Sequence, residues 1–299
     1  MQSKVFSQGF EYGVKHFLST KDDELINILV ETLETDHQIN RNQLLFLIDL
    51  GCVYVNSQRI TSQSAKVSQN DHIRVHTKPR RYQIDHPWKD RIVANYQDFI
   101  ILNKPGGIPS HPSVDNRIEN SLTQSALALG EDLFVTHRLD TLTEGLIVYG
   151  KNSRFVHAFN IQLKEKTATK KYVALVENNQ KLPNHLIHFM EKTPRAPKTV
   201  STIFHEGWDM CELKIEKQKV FNLFSHIKID LLTGRTHQIR SQLADIGAPI
   251  VGDTLYGSKT RLEHPGIMLR AQEIQFNWNG QRHLFEIDDQ FIDQFMISD

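Results

Sequence analysis

The residues best suited to chemistry lie in a short loop at residues 137–140, whose sequence is His-Arg-Leu-Asp. This loop leads into an apolar run at residues 146–149, Leu-Ile-Val-Tyr, which predicts a short buried strand. Asp140 therefore places a carboxylate at the edge of that strand, close in sequence to the guanidinium of Arg138. Catalytic and binding residues are disproportionately found on loops that a rigid scaffold positions. A carboxylate in such a place can serve as a nucleophile or as a proton acceptor.

The segment around this loop resembles the signature of the RNA pseudouridine synthases. In one branch of that family, His-Arg-Leu-Asp is followed by two variable residues and then Thr-Ser-Gly-Leu, and residues 143–146 of this chain are Thr-Glu-Gly-Leu. Glu144 thus stands where a serine is usual. Further along, residues 269–271 are Leu-Arg-Ala where Leu-His-Ala is common, so Arg270 is a second departure.

Other segments extend the resemblance over roughly residues 90–275. Residues 170–174, Lys-Lys-Tyr-Val-Ala, resemble the second family motif, whose active-site tyrosine corresponds to Tyr172. Residues 233–240, Thr-Gly-Arg-Thr-His-Gln-Ile-Arg, match the third motif without a mismatch. In that motif Arg235 takes the position of the basic residue that pairs with the catalytic aspartate.

The resemblance implies that the protein isomerises uridine in RNA to pseudouridine. This reaction breaks the N–C glycosidic bond, turns the uracil and forms a C–C bond at C5, so it needs no redox change, no metal and no cofactor. It requires a carboxylate nucleophile, a group that deprotonates C5 and a dry pocket for a flipped base. The resemblance assigns the first role to Asp140, and Tyr172 is expected to stack on the base and relay the C5 proton.

Two arginines have expected roles beside Asp140. A buried lone carboxylate is strongly destabilised, so Arg235 is expected to keep Asp140 charged. A guanidinium about 4 Å away contributes roughly 4 kcal/mol of attraction at an effective dielectric near 20, compared with about 1 kcal/mol in water. In the family, the arginine beside the aspartate reaches into the RNA stack and helps to hold the target base out, which is the role expected for Arg138.

A cluster of basic residues indicates a polyanionic partner, although the whole chain is neutral, with 35 basic and 35 acidic side chains. Between residues 151 and 198, ten lysines and arginines face three glutamates, which leaves this region at plus seven. We expect the partner to be ribosomal or transfer RNA, with no membrane association, and we expect a monomer. The candidate RNA-binding residues are Arg138, Lys104, Lys170 and Lys171.

The pattern divides the chain into three parts. Residues 1–80 resemble a divergent S4 RNA-binding domain of small α/β type, and the alternative is an accessory domain without RNA contact. Residues 81–90 are expected to form a linker, in or beside which Arg80 and Arg81 are either phosphate contacts or solvated side chains. Residues 91–299 are expected to form the catalytic domain. The expected class is α+β, a pseudouridine synthase fold with a mixed, largely antiparallel central sheet.

Periodicity predicts the main elements. In the first domain, a helix opens with acids at residues 22–24 in its first turn and carries an apolar face, and a second helix begins at Asn40 and ends at Gly51. In the catalytic domain, Ser153 is expected to cap a helix. Strands are predicted near residues 98–103, 146–149, 170–176 and 223–231.

Composition is typical of a cytoplasmic protein. Charged residues make up 23% of the chain, and no run approaches the roughly 20 apolar residues that span a bilayer. The two cysteines, Cys52 and Cys211, are far apart, so a disulfide framework is not expected.

Three alternatives remain open. A metal hydrolase would use histidines with Asp140, but His111, His137 and His237 have no local ligand spacing. A glycosidase would use Asp140 and Glu144 as a carboxylate pair, but no cluster of tryptophans accompanies them. The third alternative is a catalytically inactive homologue that binds RNA, and the complete set of Asp140, Tyr172 and Arg235 weighs against it.

Overall fold

The computed structural model describes residues 13–37 and 39–288, which form two compact units. The first unit comprises the described residues up to Ile84 together with His111–Gln124. The second comprises Asp85–Ser110 together with the described residues from Ser125 onwards. The chain therefore passes from one unit to the other three times.

The first unit is built from two helices and two small sheets. Its strands in the order β1-β6-β3-β4 form an antiparallel sheet, and β2 pairs with β5. The apolar face predicted for the first helix packs into the core, since Leu25, Leu29 and Leu33 are fully buried. In chain order the elements are β1 (Val14–Leu18), β2 (Asp23–Glu24), α1 (Leu25–His37), α2 (Arg41–Leu50), β3 (Val53–Val55), β4 (Gln58–Ile60), β5 (Lys66–Val67) and β6 (His72–His76).

Helix α2 has the boundaries that the sequence predicts. Asn40 is its N-cap and accepts a hydrogen bond from the backbone of Gln43, whose side chain in turn bonds the backbone of Asn40. Gly51 ends the helix with a φ of 79°, a left-handed conformation that glycine adopts without strain. The acids expected in the first turn of α1 lie elsewhere, because Asp23 and Glu24 form strand β2 instead.

The segment His111–Gln124 belongs to the first unit through polar contacts. Arg81 Nε donates to Glu119 at 3.0 Å, and Arg80 Nε lies 3.3 Å from Asp115. The thiol of Cys52 donates to the backbone oxygen of Asp115 at 3.0 Å. Both arginines form ion pairs with this segment while their side chains stay largely exposed, and whether they also contact phosphates remains a prediction.

The second unit is dominated by one large sheet. Its strands follow the order β13-β12-β14-β15-β11-β16-β10-β8-β7, with β17 on β16 and β9 on β10. The β10–β16 pair is parallel, and the other strand pairs of this sheet among the described residues are antiparallel. The predicted mixed, largely antiparallel sheet is thus confirmed. Its elements are β7 (Ile92–Asn95), β8 (Phe99–Lys104), α3 (Ser121–Leu129, which begins in the first unit), β9 (Phe134–Val135), β10 (Glu144–Gly150), α4 (Ser153–Lys164), β11 (Thr169–Val176), β12 (His185–Met190), β13 (Val200–Ser201), β14 (Asp209–Phe221), β15 (Phe224–Leu231), α5 (Gln238–Asp245), β16 (Leu269–Trp278) and β17 (Gln281–Glu286).

Helix α4 packs on this sheet through aromatic rings. Phe155 and Phe159 are fully buried beside Phe276 of β16. The helix begins at Ser153 as predicted, but its cap is Asn152, whose side chain accepts from the backbone of Phe155 at 3.0 Å. Ser153 was therefore the wrong cap by one residue, because its own backbone is already helical.

Strand β16 joins the two strands that lead to the site. Ala271 is paired with Gly145 of β10 on one side and with Tyr172 of β11 on the other. Gly145 has a φ of 108°, and a Cβ at this position would overlap the backbone of Ala271. The close approach of β10 to β16 therefore requires glycine at this position.

Candidate active site

The Asp140 loop is held on both sides, by Lys104 at the end of β8 and by Ser110 in the segment that follows this strand. Before Asp140, the hydroxyl of Ser110 donates to Leu139 O at 2.7 Å and accepts from Leu139 N at 3.0 Å. After Asp140, the ammonium of Lys104 donates to Thr141 O at 3.3 Å. Ser110 and Lys104 are buried, so these contacts exclude water. The backbone that carries the carboxylate is thus fixed independently of any charge on Asp140.

The ion pair of Asp140 is formed with Arg240. The guanidinium Nη1 of Arg240 lies 3.6 Å from Oδ2 of Asp140, whose side chain is 20% exposed. The same guanidinium is held from the other side by Asp253, with Nε to Oδ2 at 2.6 Å and Nη2 to Oδ1 at 2.9 Å. Burial alone would lower the pKa of Arg240, but the hydrogen bond and charge of Asp253 and the charge of Asp140 outweigh it and raise that pKa.

Helix α5 directs Arg240 inwards because its buried face is polar. Its N-cap His237 has a φ of 59°, which turns the chain sharply from the preceding loop into the helix. Gln238 organises that loop by accepting hydrogen bonds from Thr233 Oγ1 at 2.9 Å and from Arg235 N at 3.0 Å. Arg240 therefore lies on the buried side with 3% of its side chain exposed, whereas that of Arg235 in the loop is 48% exposed.

The ion pair predicted between Arg235 and Asp140 is wrong. The guanidinium of Arg235 lies 3.5 Å from Asp209 instead, at the half-exposed beginning of β14. The predicted partner was the wrong arginine of the right motif, because Arg235 and Arg240 both belong to the matched octapeptide at residues 233–240. Only the turn at His237 decides which of the two faces the carboxylate.

Tyr172 lies on β11 between β15 and β16, and the residue is 5% exposed. Burial, and secondarily the negative charge of Asp140, raise the pKa of Tyr172 well above its usual range. The phenol is therefore neutral at physiological pH and lies within electrostatic reach of Asp140. The sequence-based pairing of these two residues in one site is consistent with this geometry, and their roles remain predictions.

Histidines around the loop have structural contacts. His137 Nε2 accepts from the backbone of Val148 at 3.1 Å, and burial together with Lys170 lowers its pKa to about 3. His237 Nδ1 lies 3.0 Å from the hydroxyl of Tyr256, whose ring lies 4.9 Å from the guanidinium carbon of Arg240. His137 is thus a neutral hydrogen-bond acceptor that anchors the beginning of the loop to β10.

The predicted RNA-binding residues have different environments. Arg138 is exposed on the loop. Lys171 is engaged with Glu216 at 2.9 Å. Lys170 is half-buried, and burial lowers its pKa. Lys104 is fully buried and also donates to Pro105 O and Ile108 O, so the phosphate contact predicted for it is wrong. Its position at a strand end suggested exposure, but the strand ends inside the molecule.

Several functional candidates were missed by the sequence interpretation. Arg240 is the last residue of the motif at residues 233–240, and Asp253 lies within the range of the resemblance but outside the three motifs. Ser110 lies between the Pro/Gly turn at residues 105–109 and His111, and no pattern marked it. What these residues share is proximity to Asp140 through folding rather than through sequence.

The described part of the chain contains neither a candidate metal site nor a candidate membrane-spanning helix. In residues 13–37 and 39–288, no group of three or more His, Cys, Asp or Glu side chains is arranged to hold a metal ion. Within the same ranges, no helix has both the length and the apolar character needed to cross a membrane.

The sequence of this chain is similar to those of RNA pseudouridine synthases. Residues 98–245 match the family model described as RNA pseudouridylate synthase. The chain is 34% identical over 225 residues to "RNA pseudouridine synthase 6, chloroplastic" of Oryza sativa subsp. japonica, an alignment that covers 66% of this chain and 46% of the rice protein. The chain thus spans about half the length of this plant relative. It is 30% identical over 269 residues to an "Uncharacterized RNA pseudouridine synthase" of Helicobacter pylori strain J99, with 82% of this chain and 81% of the relative covered.

A solved structure shares the fold. "Human RNA Pseudouridylate Synthase Domain Containing 1" superposes with a TM-score of 0.55 at 21% identity, covering 68% of this chain and 84% of that one. At this level of identity the likeness concerns the fold alone, and it agrees with the large, mostly antiparallel sheet of the second unit.

Proposed function

Because the chain belongs to the RNA pseudouridine synthase family, we propose that it converts specific uridines in structured RNA to pseudouridine, with Asp140 as the nucleophile. In this isomerisation the bond between uracil N1 and ribose C1′ breaks, the base turns, and C5 bonds to C1′. The proton on C5 leaves and N1 gains one, so atoms and electrons balance within the nucleotide and solvent. No redox partner is required.

The observation that carries the proposal is the environment of Asp140. Its carboxylate is partly accessible, its counter-ion Arg240 is buried and fixed, and the neighbouring backbone is clamped by Ser110 and Lys104. A nucleophile needs this combination, because it must reach the substrate while its charge and direction are preorganised.

Tyr172 is proposed to form one wall of the uracil pocket. Its raised pKa keeps the phenol neutral, so the ring can stack on the base and the hydroxyl can donate a hydrogen bond. A phenolate as the base that removes the C5 proton is disfavoured by the same burial. We therefore assign Tyr172 a positioning and relay role, in which the proton passes through the hydroxyl to solvent or to the carboxylate.

RNA contacts are proposed for exposed or half-exposed cations around this centre. Arg138 extends from the loop two residues before Asp140 and is proposed to hold the target base out of the stack. Lys166 and Lys170 line a cavity of about 80 Å³ together with Gly234 and one acid, Asp230, and the two lysines are proposed to bind a phosphate there. Arg235, adjacent to Gly234, extends the same basic edge.

The finer parts of the proposal rest on the sequence. The first unit is proposed to be an S4-like RNA-binding domain, the target to be ribosomal or transfer RNA, the protein to act as a monomer and its location to be the cytoplasm. The names of the rice and Arabidopsis relatives include the word chloroplastic, which describes those proteins. Fractionation of cells that express a tagged chain tests the location directly.

The second candidate is an inactive homologue that binds RNA. It predicts that the site has lost either its acid or the counter-ion of that acid. Asp140 and Arg240 lie 3.6 Å apart, which favours an active enzyme. The active enzyme and the inactive homologue differ in one measurable quantity, which is turnover of uridine to pseudouridine.

Release of tritium from RNA labelled at uracil C5 tests the proposed function. Total RNA from cells that lack the protein is the substrate, because its target uridines are unmodified. Tritium release by the wild-type protein and none by Asp140→Asn is the expected result. Binding of the same RNA without release would support the inactive homologue. Mapping pseudouridine in RNA from cells with and without the gene then identifies the target.

A further inference from the structure

The two residues that depart from the family pattern form an ion pair with each other. Nε of Arg270 donates to Oε1 of Glu144 at 2.8 Å, and the two residues are directly opposite in the β10–β16 pairing. Their side chains are 13% and 25% exposed, respectively, so the pair is largely desolvated. Serine and histidine at these positions would have neither this length nor this charge.

The pair lies where the sheet connects the two halves of the proposed site. Strands β10 and β16 share two paired positions, Glu144 with Arg270 and Gly145 with Ala271. Ala271 also pairs with Tyr172, and Thr143 N donates to Asp140 O at 3.1 Å. A shift of β10 along β16 would therefore move Asp140 relative to Tyr172.

Other cations make the negative charge of Glu144 important. Burial lowers the pKa of Arg91, and the negative charge of Glu144 partly opposes that shift. Burial also lowers the pKa of Lys104, and the negative charges of Asp140 and, to a smaller extent, Glu144 oppose it. Nη1 of Arg270 donates a hydrogen bond to the backbone oxygen of Asp288 at 2.8 Å, which fixes the other end of the guanidinium. Loss of Glu144 alone would remove the partner of Arg270 at 2.8 Å and a negative charge that acts on both Arg91 and Lys104.

We propose that Glu144 and Arg270 are positioning residues that act as one unit, setting the register of β10 on β16 and thereby the separation of Asp140 from Tyr172. This inference rests on the proposed function, since the quantity that they position is the catalytic geometry. Neither side chain is assigned a contact with the reacting atoms. The pair acts by holding β10, the strand that directly follows the Asp140 loop.

The test is a double-mutant cycle in which the double variant carries the serine and histidine that are common in the family. Glu144→Ser and Arg270→His are made singly and together, and kcat and KM are measured by tritium release. Each single variant is expected to lose about tenfold or more in kcat with KM within about twofold, because a displacement of about 1 Å at a reacting group can cost about a hundredfold. The double variant is expected to recover to within about threefold of wild type, which is strong non-additivity.

A matched control lies on the same strand. Lys228 of β15 and Glu273 of β16 form another ion pair in this sheet, across the intervening strand β11, at 3.8 Å with side chains 24% and 15% exposed. Glu273→Gln is expected to leave kcat within about twofold of wild type. If it lowers kcat as much as Glu144→Ser does, the effect belongs to sheet stability in general and the inference is overturned.

The remaining outcomes are decisive as well. Single variants with unchanged kcat, or a double variant as slow as the product of the two single effects, would overturn the inference. If Arg270→His fails to fold, Arg270→Gln removes the charge while keeping a long polar side chain, and a normal kcat for it has the same meaning. Absence of turnover by the wild-type protein would instead refute the proposed function, so the two failures are distinguishable.

Discussion

Nη1 of Arg240 lies 3.6 Å from Oδ2 of Asp140, while two other nitrogens of the same guanidinium bind Asp253. One buried cation therefore serves two carboxylates, of which only that of Asp140 has accessible surface. Asp253 fixes the plane of the guanidinium, so Arg240 cannot follow Asp140 if the loop moves. At this distance the attraction is roughly 4 to 5 kcal/mol at an effective dielectric near 20. The acid is thus oriented before any substrate arrives.

Replacement of Asp140 is the first prediction. Asp140→Asn preserves the shape of the side chain but removes its nucleophilic charge, so we expect the rate of isomerisation to fall by at least about a thousandfold. The affinity for RNA should stay within about threefold of wild type, because Asp140 is not a phosphate ligand. Single-turnover tritium release and filter binding measure the two quantities. Residual turnover at a tenth of the wild-type rate would remove Asp140 from the role of nucleophile.

Arg240 and Arg235 provide a paired prediction from one motif. Arg240→Ala should lower kcat by about a hundredfold or more and destabilise the fold by about 3–5 kcal/mol, because it leaves the fully buried Asp253 without a partner. Arg235→Ala removes only a half-exposed ion pair with Asp209, so stability should change by less than about 1 kcal/mol and kcat by less than about fivefold.

Urea unfolding and tritium release of both variants, measured at a temperature at which both are folded, check this pair. Arg240→Lys is expected to be intermediate, since it keeps the charge but loses the two-point contact with Asp253. A larger loss of kcat in Arg235→Ala than in Arg240→Ala would restore the sequence-based assignment.

The sequence predicted the secondary-structure elements of the chain better than it predicted the contacts within the site. Helix α2, with a cap at Asn40 and a left-handed glycine at Gly51, follows local rules that involve a few neighbouring residues. The burial of β10 likewise follows from its apolar run. The ion pair of Asp140 depends instead on which side of a turn lies inwards, and His237 makes that turn in a left-handed conformation that no periodicity signals.

Long-range contacts explain the other differences. Lys104 belongs to a strand end, where exposure is the ordinary expectation, yet three backbone oxygens of the surrounding loops converge on its ammonium. Glu144 and Arg270 are 126 residues apart, so their departures from the family pattern looked unrelated until the strands were paired. The attachment of His111–Gln124 to the first unit also depends on long-range contacts. Its residues Asp115 and Glu119 form ion pairs with Arg80 and Arg81, which lie more than 30 residues earlier in the chain.

Ser110 is predicted to position the nucleophile through its two hydrogen bonds with Leu139. Ser110→Ala leaves a buried N–H and a buried C=O of Leu139 without this partner, at a cost of about 1–3 kcal/mol for each unsatisfied group. We expect kcat to fall about tenfold with little change in KM. Ser125→Ala is the control, because Ser125 is also fully buried but its hydroxyl has no hydrogen-bond partner among the described residues. Equal effects on kcat in the two variants would refute the positioning role.

Lys104 is predicted to make stability depend on pH. Burial lowers its pKa from 10.5 to about 7 in the folded protein. Between these two values the unfolded chain binds the proton and the folded protein does not, so this group makes the free energy of unfolding rise with pH, by at most about 1.4 kcal/mol per unit. Below about pH 7 the lysine is charged in both states and its destabilising effect is fully present.

Lys104→Met isolates this contribution. Relative to wild type, the variant should lose the rise in stability between about pH 7 and pH 10, which urea unfolding at several pH values measures. Lys89→Met, in which an exposed lysine of the same unit is replaced, should follow the wild-type curve. Parallel curves for wild type and Lys104→Met would show that Lys104 has an ordinary pKa. We also expect a lower kcat in Lys104→Met, because the bond to Thr141 beside Asp140 is lost.

The affinity for RNA is predicted to fall steeply with salt, and the slope should identify which lysines contact phosphates. Each phosphate contact releases counterions and contributes about 0.7 to 0.9 to the slope of log K against log salt. Lys170→Met should reduce the slope by about that amount, because Lys170 lines the small basic cavity beside Gly234. Lys171→Met should change it less, since Lys171 is already paired with Glu216, and Lys104→Met should not change it, since the buried Lys104 cannot reach RNA. Fluorescence anisotropy across a salt series measures all three. A slope that only Lys171→Met reduced would mean that RNA contacts the face of the sheet that carries Lys171 instead of the cavity.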